Sequence, residues 1–305
     1  MNRPGLCCIS LTLKEQGYSF QTMTYKRFSS LPREEALEIL GSRIQNNLMV
    51  TDKTIEFCAE NNYVYRVSSD IFPLITYDEA KVSLEDLPNY DAIQNEFKNI
   101  SQTISRTRVR VSAHPSEFNV LASTNEKAVD KTIKELNFYS GFFDRIGLEA
   151  NYNNPMNLHV HNKNGTHSEI IDRFIQNFNR LDPNCRNRLV IENDDKVNCW
   201  SVRELITHFH PKTNIPITFD YLHHKCNPDI LDEETAIKAC HDTWHGYKPL
   251  FHYSESAVGN NPRKHADYPE NTFDNYGLEF DVDYELKAKD YAIEHHLEIC
   301  KGVTV

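Results

Sequence analysis

The sequence predicts a single domain with the fold of a closed (β/α)8 barrel, covering residues 1–305. Short β-rich segments alternate with longer helical patterns along the whole chain, which is typical of a parallel sheet. Eight such units fit a chain of 305 residues, because barrels of this class contain roughly 250 residues or more. No linker rich in Pro, Gly or Ser divides the chain, so we predict one domain.

Each predicted strand is a short apolar run that ends in polar residues. The strands cover residues 6–11, 64–68, 108–113, 156–161, 188–192, 215–220, 250–254 and 280–285. Apolar residues at i, i+3 and i+4 spacing, as at Ala36, Ile39 and Leu40, indicate helices between them. The predicted helices cover residues 33–61, 84–105, 126–146, 168–180, 202–208, 233–243 and 286–300. Residues 257–277 lack this pattern, so we expect a long loop after the seventh strand.

A doubly wound open sheet is the competing fold. Its usual phosphate-binding motifs are absent, because the ten glycines contain neither a G-x-G pair nor a G-x-x-x-x-G-K-[ST] motif. We therefore favour the barrel and expect no nucleotide cofactor.

The composition is acidic, with 33 Lys and Arg against 44 Asp and Glu and a formal net charge of −11. Such a charge disfavours nucleic-acid binding by overall electrostatics, so contacts with phosphates must come from a local basic patch or from bound metal. The sequence contains no run of about 20 apolar residues that would predict a membrane span. Eight dispersed cysteines without a C-x-x-C pair, and an N-terminal segment that does not resemble a secretory signal, indicate a cytoplasmic protein.

Histidine is the most unusual feature of the composition, and many of the 14 histidines lie where predicted strands end. His114 follows the third strand, His159 lies in the fourth and His252 in the seventh, while Glu192 and Asp220 end the fifth and sixth. The C-terminal ends of barrel strands open onto one face, so we expect these side chains to converge there. Imidazole and carboxylate ligands suit Zn²⁺, Mn²⁺ or Fe²⁺, and more than four ligands imply more than one ion.

The remaining histidines are expected to have other roles. His208, His210, His295 and His296 lie on or beside predicted helices, where exposure or helix capping explains them. Five further residues are expected to have a structural role or to contact a metal ligand without binding the ion: His161, His167, His224, His241 and His245.

Several short motifs resemble those of the UV damage endonuclease family, in the same order along nearly the whole chain. They are Tyr65-Arg66-Val67-Ser68-Ser69, His114-Pro115-Ser116-Glu117-Phe118, His159, Leu189-Val190-Ile191-Glu192-Asn193-Asp194, Asp220-Tyr221-Leu222-His223-His224, His252-Tyr253-Ser254-Glu255-Ser256, His265-Ala266-Asp267-Tyr268 and Glu285-Leu286-Lys287-Ala288-Lys289. The resemblance implies a TIM barrel related to endonuclease IV and the xylose isomerase-like enzymes. It also implies two to three divalent ions, with Mn²⁺ favoured over Zn²⁺ or Fe²⁺.

The activity implied by the resemblance is nicking of UV-damaged double-stranded DNA by a monomeric enzyme. The nick would lie immediately 5′ of cyclobutane pyrimidine dimers and 6-4 photoproducts, and would leave a 3′-hydroxyl and a 5′-phosphate. The implied metal ligands are His114, His159, Glu192, Asp220, His223, His252, His265 and Glu285. Catalytic roles are implied for Glu192, Asp220, His223, His252 and Glu285, and contacts with DNA or the lesion for Leu6, Glu117, Phe118, Arg66 and Arg110.

The chain departs from the family pattern in positions that concern recognition more than the metal ligands. Leu6 stands where the family has an aromatic probe, and Ser10 replaces an Asn. Glu117 and Phe118 replace a Gln-Tyr pair that probes the lesion. Leu250 replaces a lysine that is carboxylated in some members. His161 and Asn162 replace glycines.

Two other functions are compatible with the same barrel. A metal-dependent sugar or sugar-phosphate isomerase would use the same ligand types on a small substrate. A non-catalytic DNA-damage binder would account for the altered probe pair and the missing lysine. The nearly complete set of ligand residues favours the nuclease over the binder.

Overall fold

Eight parallel strands surrounded by helices form the core of the computed structural model, which describes residues 2–302. The strands are β1 (Pro4–Cys7), β2 (Val64–Val67), β3 (Val111–Ala113), β4 (Met156–His159), β5 (Leu189–Glu192), β6 (Ile217–Thr218), β7 (Leu250–Tyr253) and β8 (Asp281–Tyr284). Every predicted strand is present, so the predicted (β/α)8 barrel is confirmed.

The helices, numbered in chain order, are α1 (Leu11–Glu15), α2 (Tyr25–Ser29), α3 (Arg33–Glu60), α4 (Tyr90–Thr107), α5 (Glu126–Arg145), α6 (His167–Phe178), α7 (Pro183–Arg186), α8 (Val202–Glu204), α9 (His210–Thr213), α10 (Tyr221–Cys226), α11 (Glu233–Asp242) and α12 (Lys289–Cys300). Short 3₁₀ turns cover Asp78–Ala80 and Leu84–Asp86, and a π turn covers Leu205–Phe209. In the described part of the chain, no helix has the length and apolar character to cross a membrane.

The sheet closes on itself between β6 and β7. The strand order is β6-β5-β4-β3-β2-β1-β8-β7, with parallel pairing throughout. Its two ends meet at one parallel bridge between Asp220 and His252, where the backbone N–H of His252 donates to the carbonyl of Phe219 at 2.9 Å. This junction, which we call the seam, has a shorter ladder than the four-residue register that joins β7 to β8.

Helix capping and a π turn explain where the predicted element boundaries differ from the structure. The first strand ends at Cys7 rather than continuing to residue 11, because Cys8 adopts a positive φ of 71° and Ser10 then caps α1 by accepting from the backbone N–H of Leu13. The helix predicted at 202–208 continues to Thr213, because the π turn displaces the chain before Pro211, which lies in the first turn of α9.

Arg188 links the start of β5 to the outer helix α5 while being completely buried. One guanidinium nitrogen, Nη1, donates to the hydroxyl of Ser140 at 2.7 Å, and Nη2 donates to the Asp144 carboxylate at 2.6 Å and the Leu148 carbonyl at 2.7 Å. These contacts satisfy backbone and side-chain acceptors that would otherwise lose hydrogen bonds inside the protein.

Replacing Arg188 by Met should lower the free energy of unfolding by about 2–4 kcal/mol, because buried acceptors lose their donor. Urea unfolding followed by circular dichroism measures this loss. Arg186→Met is the matched control, since the guanidinium of Arg186 makes one exposed hydrogen bond to the Asn179 carbonyl; its effect should stay within about 0.5 kcal/mol. Equal stability of the two variants would contradict this account.

Candidate metal centre

The predicted ligands come from the C-terminal ends of six strands and from the segments that follow them. His159 and Glu192 are the last residues of β4 and β5, and His252 lies in β7. His114, Asp220 and Glu285 each follow a strand directly or within two residues, His223 lies in the first turn of α10 and His265 lies in the loop after β7. Parallel strands bring all these positions to the same face of the barrel.

Glu192 is the centre of this cluster and is completely buried. Its Oε2 lies 3.1 Å from Nε2 of His114, 3.0 Å from Nδ1 of His252 and 3.6 Å from Nε2 of His159. Its Oε1 lies 3.0 Å from Nδ1 of His223. One carboxylate therefore faces four imidazoles from four different segments of the chain.

Asp220 and Glu285 extend the cluster on either side of Glu192. Asp220 is fully buried, and its Oδ1 accepts from the backbone N–H of His223 at 2.6 Å, so this carboxylate both caps α10 and faces the cluster. Glu285 lies with its Oε1 3.3 Å from Nδ1 of His252 and is held in place by an ion pair with Arg66.

Most cluster histidines have one ring nitrogen bound to a backbone carbonyl. Nδ1 of His114 donates to the carbonyl of the next residue at 2.9 Å, and Nδ1 of His265 donates to the Glu285 carbonyl at 2.7 Å. Nδ1 of His223 donates to the Asn193 carbonyl at 2.9 Å. A donor hydrogen on Nδ1 leaves the lone pair of Nε2 available as a ligand, and such outer contacts also fix the orientation of the ring.

Several buried atoms of the cluster have no hydrogen-bond partner. Oε1 of Glu192, Oδ2 of Asp220 and Nδ1 of His252 are all unpaired, although close neighbours of opposite character surround them. The 3.0 Å contact between Glu192 and His223, for example, is not aligned for a hydrogen bond because the N–H of His223 points at Asn193. Unpaired lone pairs aimed into one space fit a bound cation.

The donor set also has the composition of a transition-metal centre. In each of three groups, the ligand atoms lie within 4.8 Å of one another. These groups are His114 with His159 and Glu192, His114 with His252 and Glu285, and Glu192 with Asp220 and His223. Mixed imidazole and carboxylate ligands suit Zn²⁺, Mn²⁺ and Fe²⁺, so the residues present fit divalent ions.

The electrostatics of the cluster couple its acids to its histidines. Burial alone raises the pKa of Glu192, but His252 and His159 outweigh burial and bring that pKa well below its usual range. Burial alone lowers the pKa of His252, but Glu192 and Glu285 outweigh it and raise the pKa of His252 to about 9. Since a metal binds only the deprotonated nitrogen, an arriving cation competes with protons for His252, and acid weakens its binding.

Of the expected DNA-binding residues, two are exposed on a loop and one is buried beside the cluster. Phe118 lies on the loop after β3 with 82% of its surface exposed, and the neighbouring Glu117 is also exposed. Arg66 is buried in β2 and its guanidinium pairs with Glu285, so it supports the cluster from inside the barrel instead of reaching outward.

Leu6 and Arg110 do not occupy the positions expected of DNA contacts. Leu6 is completely buried within β1, so it cannot act as a wedge without opening the barrel. Arg110 precedes β3 and therefore lies at the opposite end of the barrel, where its Nη1 contacts Asp281 at 3.2 Å and its Nη2 donates to the carbonyl of Tyr152. The structure corrects both expectations.

Two acidic residues that were not predicted lie next to the cluster. Asp283 is fully buried in β8, with Oδ2 3.8 Å from Nε2 of His252. Asp194 follows β5 and is buried beside His159. The alternation of Asp281, Asp283 and Glu285 along one strand face was the available signal for the first, because side chains two residues apart point the same way. For Asp194, its place two residues after Glu192 was the signal.

Comparison with known proteins agrees with this geometry. A sequence model of the UV-endonuclease UvdE family matches residues 2–304. The UV DNA damage endonuclease of Bacillus pumilus (strain SAFR-032) is 29% identical over 285 residues, which cover 90% of this chain and 86% of that protein.

Two solved structures share this fold, with different degrees of structural and sequence similarity. The crystal structure of SacUVDE superposes with a TM-score of 0.83 at 27% identity and covers 99% of both chains. Endonuclease IV from Thermus thermophilus shares the fold, with a TM-score of 0.59 at 11% identity, covering 99% of this chain and 98% of that one. With a family match over 2–304 and a barrel of the same architecture, the chain belongs to the UV-endonuclease UvdE family.

Proposed function

We propose that this protein is a metal-dependent endonuclease that nicks duplex DNA immediately 5′ of cyclobutane pyrimidine dimers and 6-4 photoproducts. Membership of the UvdE family supports a UV-damage repair endonuclease. The observation that carries the metal dependence is the buried Glu192 carboxylate, which faces four imidazoles and leaves one oxygen unpaired. We further propose two to three divalent ions, Mn²⁺ foremost, in a cytoplasmic monomer.

Hydrolysis of a phosphodiester requires an activated water, neutralisation of charge on the phosphate and stabilisation of the departing 3′-oxygen. Divalent ions supply these three functions when bound. The residues that would hold them are His114, His159, Glu192, Asp220, His223, His252, His265 and Glu285. Around them, Arg66 fixes the Glu285 carboxylate and the Asn193 carbonyl fixes the His223 ring, so the donor atoms need little rearrangement.

Phe118 is proposed to fill the gap left by a displaced lesion. It follows the proposed ligand His114 by four residues and exposes 82% of its surface, more than any other aromatic side chain in the described residues. A photoproduct already weakens stacking in the duplex, so bending and displacement cost less there than in intact DNA. An aromatic ring in this position would replace part of the lost stacking.

Incision of UV-irradiated supercoiled plasmid in the presence of Mn²⁺ tests the proposed function. The wild-type protein should nick irradiated plasmid and leave its unirradiated twin closed, with each nick mapped to the 5′ side of a dimer. Glu192→Gln should lose both incision and the tightly bound ions, measured by elemental analysis, because it removes the charge at the centre of the cluster.

The matched control for this experiment is Glu60→Gln, which changes an exposed carboxylate at the end of α3. It should behave as the wild type in both measurements. A fully loaded wild type that leaves irradiated plasmid intact would overturn the nuclease. Isomerisation of a sugar by that preparation would favour the isomerase, and lesion-selective binding without nicking would favour the binder.

Phe118→Ala should weaken affinity for a dimer-containing oligonucleotide by about ten- to a hundredfold, since stacking of one base contributes about 1–3 kcal/mol. Its metal content should stay at the wild-type value. The measurement is the ratio of affinities for damaged and undamaged duplexes. Tyr247→Ala serves as control, because this partly exposed aromatic precedes β7 and so lies at the opposite end of the barrel. An unchanged ratio in Phe118→Ala would place recognition elsewhere.

A further inference from the structure

A fourth group of ligand side chains adjoins the Glu192 cluster and includes two residues outside the predicted set. Asp194 is buried, and its Oδ1 lies 3.0 Å from Nδ1 of His159 and 3.0 Å from Nδ1 of His161. The three ligand atoms lie within 4.8 Å of one another. A single carboxylate oxygen therefore faces two imidazole nitrogens.

The backbone holds Asp194 rigidly in this position. Its Oδ2 accepts from the backbone N–H of Trp200 at 3.1 Å, and its own N–H donates to the Trp200 carbonyl at 2.8 Å. The Asn227 side chain donates to the Asp194 carbonyl at 3.1 Å. These contacts use the backbone groups and one carboxylate oxygen of Asp194, and they direct the other oxygen, Oδ1, at the two histidines.

Hydrogen bonding explains only one of the two short contacts. Nδ1 of His161 is aligned with Oδ1 of Asp194, whereas Nδ1 of His159 is buried and has no hydrogen-bond partner despite its 3.0 Å separation from that oxygen. Adjacent ligands of one ion lie at a similar separation, because donors about 2.1 Å from a metal are about 3.0 Å apart at right angles and about 3.4 Å apart in the tetrahedral geometry typical of Zn²⁺.

His161 continues the row of imidazoles that defines the cluster. Its ring centroid lies 5.8 Å from that of His159, close to the 5.5 Å that separates His159 from both His114 and His223. The backbone of His161 has a φ of 47°, a left-handed conformation that non-glycine residues adopt uncommonly, although His, Asn and Asp adopt it more often than the others. The ring is thus directed at Asp194 from a conformation that costs energy.

We propose that Asp194, His161 and Nδ1 of His159 form an additional binding position for a divalent ion such as Zn²⁺, next to the ions of the Glu192 cluster. Two imidazoles and one carboxylate form a common ligand set for this class of ion. The proposal extends the metal centre of the proposed function but needs no DNA. His159 is shared, since its Nε2 faces Glu192 at 3.6 Å. This position offers three ligand residues whereas the cluster offers eight, so we expect it to bind its ion more weakly and to fill after the cluster. When both nitrogens of His159 bind ions, the ring N–H proton passes to solvent.

Equilibrium dialysis against increasing Zn²⁺, with bound metal counted by elemental analysis, tests the proposal on the full chain. The wild type should show a final, weaker binding step that His161→Ala lacks, so the variant binds one ion fewer per chain at saturation. Asp194→Asn should lose the same step while keeping the shape of the side chain. Circular dichroism should confirm that both variants are folded.

The matched control is His167→Ala, which removes an exposed histidine at the start of α6, the helix that follows the loop of His161. It should keep the wild-type number of ions. If His161→Ala binds as many ions as the wild type with equal affinities, the position is a hydrogen bond only and the proposal is overturned. Glu192→Gln separates the two proposals, because it should lose the tighter steps and retain the weaker one. Failure of the wild type to nick irradiated DNA would leave this step unaffected.

Discussion

The structure depends on the burial of several carboxylates at one end of a closed barrel. Glu192 and Asp220 have no exposed surface, and Glu285 has little. Transferring such groups from water costs several kcal/mol each unless positive charge accompanies them. The surrounding histidines provide part of that charge, and the unpaired oxygens of Glu192 and Asp220 could face a cation that provides the rest. The ligand arrangement, the ring orientations and the position of Arg66 all follow from this requirement.

The opposite end of the same barrel buries a carboxylate in a different way. Asp281 begins β8 and contacts Arg3 at 2.8 Å, Arg110 at 3.2 Å and Lys248 at 2.6 Å. These cations outweigh burial and lower the pKa of Asp281. Here the side chains of the protein itself supply the positive charge that balances the buried Asp281 carboxylate. At the other end, Glu192 and Asp220 face histidines instead of such cations within the described residues, which supports the ions proposed there.

The alternation of strands with helices and the common direction of the strands explain what the sequence could predict. All eight strands and the convergence of His114, Glu192 and His252 followed from the alternation of elements and from the rule that parallel strands end on one face. Leu6 and Arg110 were misplaced for two reasons: a motif position does not say whether a side chain is buried, and Arg110 precedes its strand instead of following it.

The features that escaped prediction are short-range or depend on three-dimensional closure. Helix α10 has six residues and begins where β6 ends, with Asp220 as its cap, so its pattern is too short for periodicity to indicate. The buried pairing of Arg66 with Glu285 joins residues 219 positions apart. The orientation of His161 depends on a single left-handed backbone angle, which the sequence of a non-glycine residue does not predict.

The seam between β6 and β7 has a mechanical consequence. Its one bridge joins Asp220 to His252, and both residues face the Glu192 cluster. Asp220 belongs to the candidate ligand group with Glu192 and His223, and His252 to the group with His114 and Glu285. Ions bound in these two groups would restrain both sides of a junction that has one backbone bridge. The stability of the closed barrel would then increase with the fraction of metal sites occupied, because a ligand that binds only the closed form stabilises it by mass action. Without such ions, this junction would depend on its one backbone bridge, whereas the strands β7 and β8 are joined over four registered residue pairs.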